Sequence, residues 1–138
     1  MVSIKCYGED ELTLAAVTKY LPGLLDELGD QTDPDKCLVF YRPSFGRSGG
    51  ISGSSFGEFD AILATHECIY LIESKWIRSG NPEKRIPLKP NQVLRHEIFE
   101  WIKNKWKEVQ TWRDFKKKHS TGFENAFHSK PLASNGAV

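Results

Sequence analysis

The chain of 138 residues has no apolar run approaching the roughly 18–20 residues of a membrane span, so no spanning helix is expected. Its first residues, MVSIKCYGEDE, lack the apolar segment of a secretory signal. Cysteine is scarce: Cys6, Cys37 and Cys68 are odd in number and have no metal-ligand spacing. That argues against a disulfide framework and for reduced thiols in a cytoplasmic setting, each filling a small apolar space. The histidines His66, His96, His119 and His128 show no ligand spacing either, which argues against a zinc enzyme. No GK[ST] follows the Gly- and Ser-rich stretch, and no G-x-S-x-G elbow occurs, so neither a phosphate loop nor a serine hydrolase is expected. Net charge is only +1, with 39% hydrophobic and 27% charged residues, ordinary for one globular domain.

The small net charge hides an uneven distribution. Residues 1–35 hold Lys5 and Lys19 against eight acids, net −6. Residues 89–118 hold nine basic residues against Glu97, Glu100, Glu108 and Asp114, net +5. A basic C-terminal half fits a polyanionic partner, and fits a solvated helix face equally well.

The most informative stretch is Gly57 to Trp76, GEFDAILATHECIYLIESKW. Ala61 to Ala64 and Cys68 to Ile72 are short, apolar and β-rich, with Thr65, His66 and Glu67 between them. In a hairpin centred on His66–Glu67, Asp60 lies opposite Glu73 and Glu58 opposite Lys75, with Cβ atoms of opposed residues roughly 4.5–5.5 Å apart. Period-two alternation then puts Asp60, Ile62 and Ala64 on one face with Ile69, Leu71, Glu73 and Lys75. The other face carries Phe59, Ala61, Leu63, Tyr70, Ile72 and Trp76. Two carboxylates that close repel each other unless a positive charge lies between them. A divalent metal supplies that charge, and oxygen ligands suit Mg2+ or Mn2+. Lys75, on the same face, can hold a water or neutralise charge developing on a phosphate. Asp60, Glu73 and Lys75 are therefore a candidate metal-assisted phosphodiesterase site. The plainer alternative is an edge hairpin with its charges in water. Apolar residues on both faces argue against it, because a sheet covered on both sides rarely buries three charges without a task.

Around this hairpin the chain reads as α/β. Residues 9–28 are helical, in one piece or two, with Pro22-Gly23 breaking or restarting the helix and Gly29 ending it. Glu9, Asp10 and Glu11 suit the first turn, where the helix dipole favours acids. One of them is also placed to reach the metal site. Residues 30–36 are a turn, and Cys37 to Tyr41 a strand. Residues 43–56 form a Gly/Ser-rich connection whose amides, with Arg47, could contact phosphate. A loop over 77–91 carries Arg78, Lys84, Arg85 and Lys89 on its rim, in solvent or along a nucleic-acid cleft. Residues 91–118 read as one long helix N-capped by Asn91, striped by Leu94, Ile98, Trp101, Lys105, Val109 and Trp112. The stripe is core, with its tryptophans an alternative stacking surface for bases and part of its width available for a homodimer contact. Lys116, Lys117 and Lys118 suit the end of that helix. Phe123 and Phe127 pin a short helical turn, no clear fourth strand follows, and residues 121–138 end as a weakly ordered tail after a domain over 1–120.

The order of helix, strand, acid-bearing strand, E-x-K strand and helix resembles the PD-(D/E)xK nuclease superfamily. The pattern matched most closely is the nuclease-related domain, NERD. The residues carrying it are Gly8-Glu9 with Leu12, then Gly57-Glu58-Phe59-Asp60, then Ile72-Glu73-Ser74-Lys75, Ser79-Gly80 and Pro90-Asn91-Gln92. The resemblance implies a restriction-endonuclease-like three-layer core, a central mixed sheet flanked by helices. It implies Mg2+, with Mn2+ as a substitute, held by Asp60, Glu73 and the Ser74 main-chain carbonyl. Lys75 would orient or activate the attacking water, Glu9 would supply or orient a further ligand with Glu11 as its rival, and Gln92 would stand beside the lysine. The implied activity is Mg2+-dependent endonuclease or exonuclease cleavage of DNA. The alternative is a nucleic-acid-binding or protein-interaction module with an inactive nuclease-like site.

Overall fold

A computed structural model describes residues 7–43, 57–75, 86–127 and 131–132. The described residues form a mixed α/β protein with four helices and a three-stranded antiparallel sheet. Its contacts divide the chain into two compact units. One is Met1–Pro43 with Phe59–Ile86, and the other is Ser44–Glu58 with Pro87–Val138.

The first unit begins with α1, Glu9–Val17, whose opening turn holds Glu9, Asp10 and Glu11 against the positive end of the helix dipole. Helix α2, Leu21–Leu28, follows after three turn residues. Pro22 sits in its first turn, where a missing N–H is harmless, so it restarts the helix. The break itself comes earlier than expected, at residues 18–20. Gly29 ends α2 with φ 69°, a left-handed cap favouring glycine. Its N–H bonds to the Asp26 carbonyl, and the Asp30 N–H to that of Leu25. A 3-10 turn, Pro34–Lys36, leads into the sheet.

The strands are β1, Leu38–Tyr41, β2, Ala61–Ala64, and β3, Ile69–Ile72, in the order β1-β2-β3. Both strand pairs among the described residues are antiparallel, where a mixed sheet was expected. Each strand pairs with its neighbour in sequence. The β2–β3 pairs run from Ala61–Ile72 to Ala64–Ile69, the register expected of a hairpin centred on His66–Glu67. Leu63 packs with Leu21 and Leu25 of α2, joined by Val39, Tyr70 and Ile72 from the same sheet face. Phe59 and Ala61 are fully buried, and Ile62 on the opposite face is buried as well. Leu38, Phe40 and Ile69 are exposed.

Asp30 fastens the hairpin turn to the end of α2. Its carboxylate accepts from Thr32 N at 2.9 Å, Thr65 Oγ1 at 2.7 Å and Tyr70 Oη at 2.9 Å. Thr65 Oγ1 in turn accepts from the N–H groups of Glu67 and Cys68, and His66 N donates to Thr32 Oγ1.

In the second unit the single helix expected over 91–118 is two: α3, Pro90–Trp106, and α4, Trp112–Ala126. The N-cap of α3 is Lys89, not Asn91. Pro90 takes the first helical position, and Gln92 Oε1 accepts from Lys89 N at 2.8 Å. The break at 107–111 is set by Thr111, whose hydroxyl accepts from Asp114 N at 3.2 Å and caps α4. Helix α4 runs past the expected boundary at 120. Phe123 and Phe127 belong to it and its cap, and pack with Ile98, Phe115 and Leu132 as the core of this unit. Trp101 is half-buried among them, edge-on to Phe115, His119, Phe123 and Phe127. Cys6, Arg47, Trp76, Arg78, Ser79-Gly80, Lys84, Arg85, His128, residues 44–56 and residues 133–138 lie outside the described residues.

Candidate functional site

The hairpin delivers its charged residues to the end away from the turn. Asp60 directly precedes β2, and Glu73, Ser74 and Lys75 directly follow β3. The ladder ends at the Ala61–Ile72 pair, one step short of Asp60 and Glu73. There the backbone bonds to a side chain instead: Ser74 N donates to Asp60 Oδ2 at 2.6 Å. The Asp60 carbonyl accepts from Arg42 N at 3.0 Å, so β1 holds the residue from its other side.

Helix α1 brings Glu9 to the same end. Thr13, one turn further on, is 2% exposed, and its Oγ1 donates to the Glu9 carbonyl at 2.9 Å. Thr13 Oγ1 also lies 2.6 Å from Ser74 Oγ. A hydroxyl carries one proton, so in that second bond Ser74 is the donor. Lys75 Nζ stands 4.0 Å from Glu9 Oε1, a loose pair between half-exposed groups that contributes little alone. Asp10 anchors α1 beside them. Its carboxylate meets Arg42 Nη1 at 2.9 Å, and its carbonyl accepts from Tyr41 Oη at 3.0 Å.

The electrostatics follow from this crowding of acids. Burial pushes the Asp60 carboxyl above its ordinary value, the Ser74 N–H pulls it back, and the charges of Glu73, Glu9 and Asp10 push it up again, with a net rise. A carboxylate held among three others is stabilised by a cation. Among the described residues no three His, Cys, Asp or Glu side chains come together in a way that could hold a metal ion. Asp60 and Glu73 offer oxygen donors, the kind that suits an ion keeping much of its water, as Mg2+ does.

Glu9, Asp60, Ser74 and Lys75 are thus joined by direct contacts, with Glu73 beside them in the chain and acting on Asp60. Gln92 belongs to the second unit, where its side chain closes the start of α3. Glu11 is exposed on α1. Thr13 is the contributor that the sequence reading passed over. Its signal was its spacing, four residues after Glu9 and so on the same helix face. No helix among the described residues is long and apolar enough to cross a membrane. No family model matches the chain, and no curated protein or solved structure matches it.

Proposed function

We propose that the protein is a metal-dependent nuclease that hydrolyses phosphodiester bonds of DNA at the Asp60, Glu73 and Lys75 end of the hairpin. The observation that carries this reading is the contact set around Asp60. A half-buried carboxylate is bound by the amide of the E-x-K segment and raised by burial and by three nearby acids, one of which, Glu9, pairs with Lys75. The resemblance to PD-(D/E)xK nucleases and the NERD pattern supplies the reaction. A restriction-endonuclease-like core is the finer fold reading that goes with it, supported by α1 packed beside a hairpin whose acids share one end.

In this reading Asp60, Glu73 and the Ser74 carbonyl hold Mg2+, or Mn2+ in its place. When bound, the ion supplies Lewis-acid polarisation of the phosphate and a water of lowered pKa. The rest falls to the chain. Asp60 is aimed by the Ser74 N–H and Arg42 N, which fix the carboxylate and its backbone. Lys75 places an ammonium where charge develops on the phosphoryl oxygens and orients the attacking water. Glu9 steadies Lys75 and adds negative charge to the cation's side of the site. Gln92 enters through the resemblance alone.

Single-stranded, duplex, nicked and branched DNA, each incubated with Mg2+, Mn2+ or chelator, test the proposal beside Asp60→Ala and Lys75→Ala. Metal-dependent cutting lost in both variants is the expected result. Removing one such charge-stabilising group lowers turnover by roughly 10²–10³-fold. Cutting that survives both substitutions sinks the proposal. The net +5 of residues 89–118 favours a second reading, a DNA-binding module without hydrolysis. Binding without metal and no cleavage of any substrate by a folded protein selects it.

A further inference from the structure

Two groups stand out among the aromatic rings of the second unit, beside the tilted pairs Phe115–His119 and Phe123–Phe127. Around Trp101 they meet edge-on, at interplanar angles of 70–86°. That is ordinary interior packing. At the turn between α3 and α4 they are close to parallel. Trp112 and Phe115 lie 5.4 Å apart at 5°, Trp106 and Phe115 5.2 Å apart at 27°, and Trp106 and Trp112 6.2 Å apart at 22°. Phe115 is fully buried, whereas Trp106 is 38% exposed. The group therefore runs from the core to solvent and ends on an indole.

Charge surrounds this end. Lys103, Lys105 and Lys107 are exposed around the last turn of α3, and Arg113 is exposed on the first turn of α4. Two of the nearby acids have partners of their own. Glu108 pairs with Lys118, and Asp114 accepts from Thr111 Oγ1 at 2.6 Å in the α4 cap. A part-exposed indole within a positive field matches one class of partner. Bases stack on aromatic rings in single-stranded nucleic acid, while its phosphates seek lysine and arginine. In a duplex the base faces are already stacked on each other.

The geometry points to a single-stranded nucleic-acid platform at the α3–α4 turn, in which Trp106 stacks on a base and Lys103, Lys107 and Arg113 contact the phosphates. It does not rest on the hydrolytic reading, since every residue involved lies in the second unit. Binding needs no metal.

The test measures anisotropy of a labelled oligo-dT in chelator with the full chain, alongside a blunt duplex of the same length. Intrinsic tryptophan emission reports the stacking. Expected are quenching by oligo-dT and tighter binding of the single strand than of the duplex. Trp106→Ala weakens binding about tenfold or more, Trp106→Phe restores most of it, and Lys107→Ala flattens the salt dependence by about 0.7 in log–log slope. Because Trp106 is part-exposed, circular dichroism should find both Trp106 variants folded. Oligo-dT affinity unchanged in a folded Trp106→Ala protein overturns the proposal. So does equal affinity for the duplex, or no binding at all. A homodimer lost on Trp106→Ala, with no nucleic-acid binding by the monomer, assigns the surface to a second copy and overturns it too.

Discussion

Asp30 is 3% exposed, in a place where an acid without partners would be excluded. Burial alone pushes its carboxyl up. Donors from Thr65, Thr32 and Tyr70 outweigh burial and bring it from 3.8 down to about 2. The folded protein therefore holds the ionised form more strongly than the unfolded chain does. Its stabilisation is complete above the ordinary value and is lost as pH falls through about 2. Urea midpoints across this range should fall with pH in the wild type. In Asp30→Asn the midpoint should be lower at neutral pH and the fall shallower. An unchanged acid limb in the variant contradicts this role. Gly57 offers a second residue-scale test. Its φ is 80°, and a Cβ there would come within 2.5 Å of Arg95 Nη1, on a side chain 93% buried by its 7% exposure. Gly57→Ala should destabilise the second unit by over about 1 kcal/mol, read by chemical denaturation. Neither residue's role could be read from sequence. Gly57 was visible as a motif glycine, and the arginine it admits was not. Asp30 looked like turn chemistry because its partners, Thr65 and Tyr70, are 35 and 40 residues away.

At the scale of elements, the hairpin was readable and the C-terminal helices were not. Alternation and a two-residue turn specify register, because a slip of one residue would turn every apolar side chain of β2 to the other face. The α3–α4 break has no glycine or proline. Lys107 and Glu108 are good helix formers, so the apolar stripe ran on across it. The available signal was Thr111-x-x-Asp114, a capping pattern that outweighed the stripe. Within α4, Gly122 faces Trp101, and a Cβ would meet Trp101 Cζ2 at an ordinary 3.7 Å. Gly122→Ala should raise stability by about 0.5–1 kcal/mol, since the helix loses a glycine without a clash. A lower melting temperature contradicts that packing. The join between α1 and the E-x-K segment depends on Thr13. Thr13→Val keeps the shape and removes the bond to Ser74, which should cost about 1 kcal/mol or somewhat more. By loosening Ser74 it should also slow DNA cleavage while leaving oligo-dT binding intact. Equal losses in both assays would mean general damage.

At the scale of the whole molecule, the sequence reads as one domain, but the described residues build two cores. One is centred on Leu21, Leu25 and Leu63, and the other on Ile98, Phe115, Phe123, Phe127 and Leu132. The charge asymmetry follows the same division, acids in the first helices and bases in the last two. Composition could show that asymmetry. It could not show that residues 121–126 complete a helix, because the polar Ser120, Thr121, Glu124 and Asn125 mask the period set by Phe115, Phe123 and Phe127. Phe123→Ala should cost about 3–5 kcal/mol. Hydrogen exchange should then speed up first in α3 and α4 and least in β2. The function proposed for the first unit rests on the separate tasks of two residues at one site. The most direct measurement pairs Mg2+-dependent thermal stabilisation with DNA cleavage in wild type, Asp60→Asn and Lys75→Ala. Wild type should be stabilised by Mg2+ and should cut. Asp60→Asn should do neither, and Lys75→Ala should keep the stabilisation and lose the cutting. Cleavage by either folded variant at the wild-type rate contradicts the account.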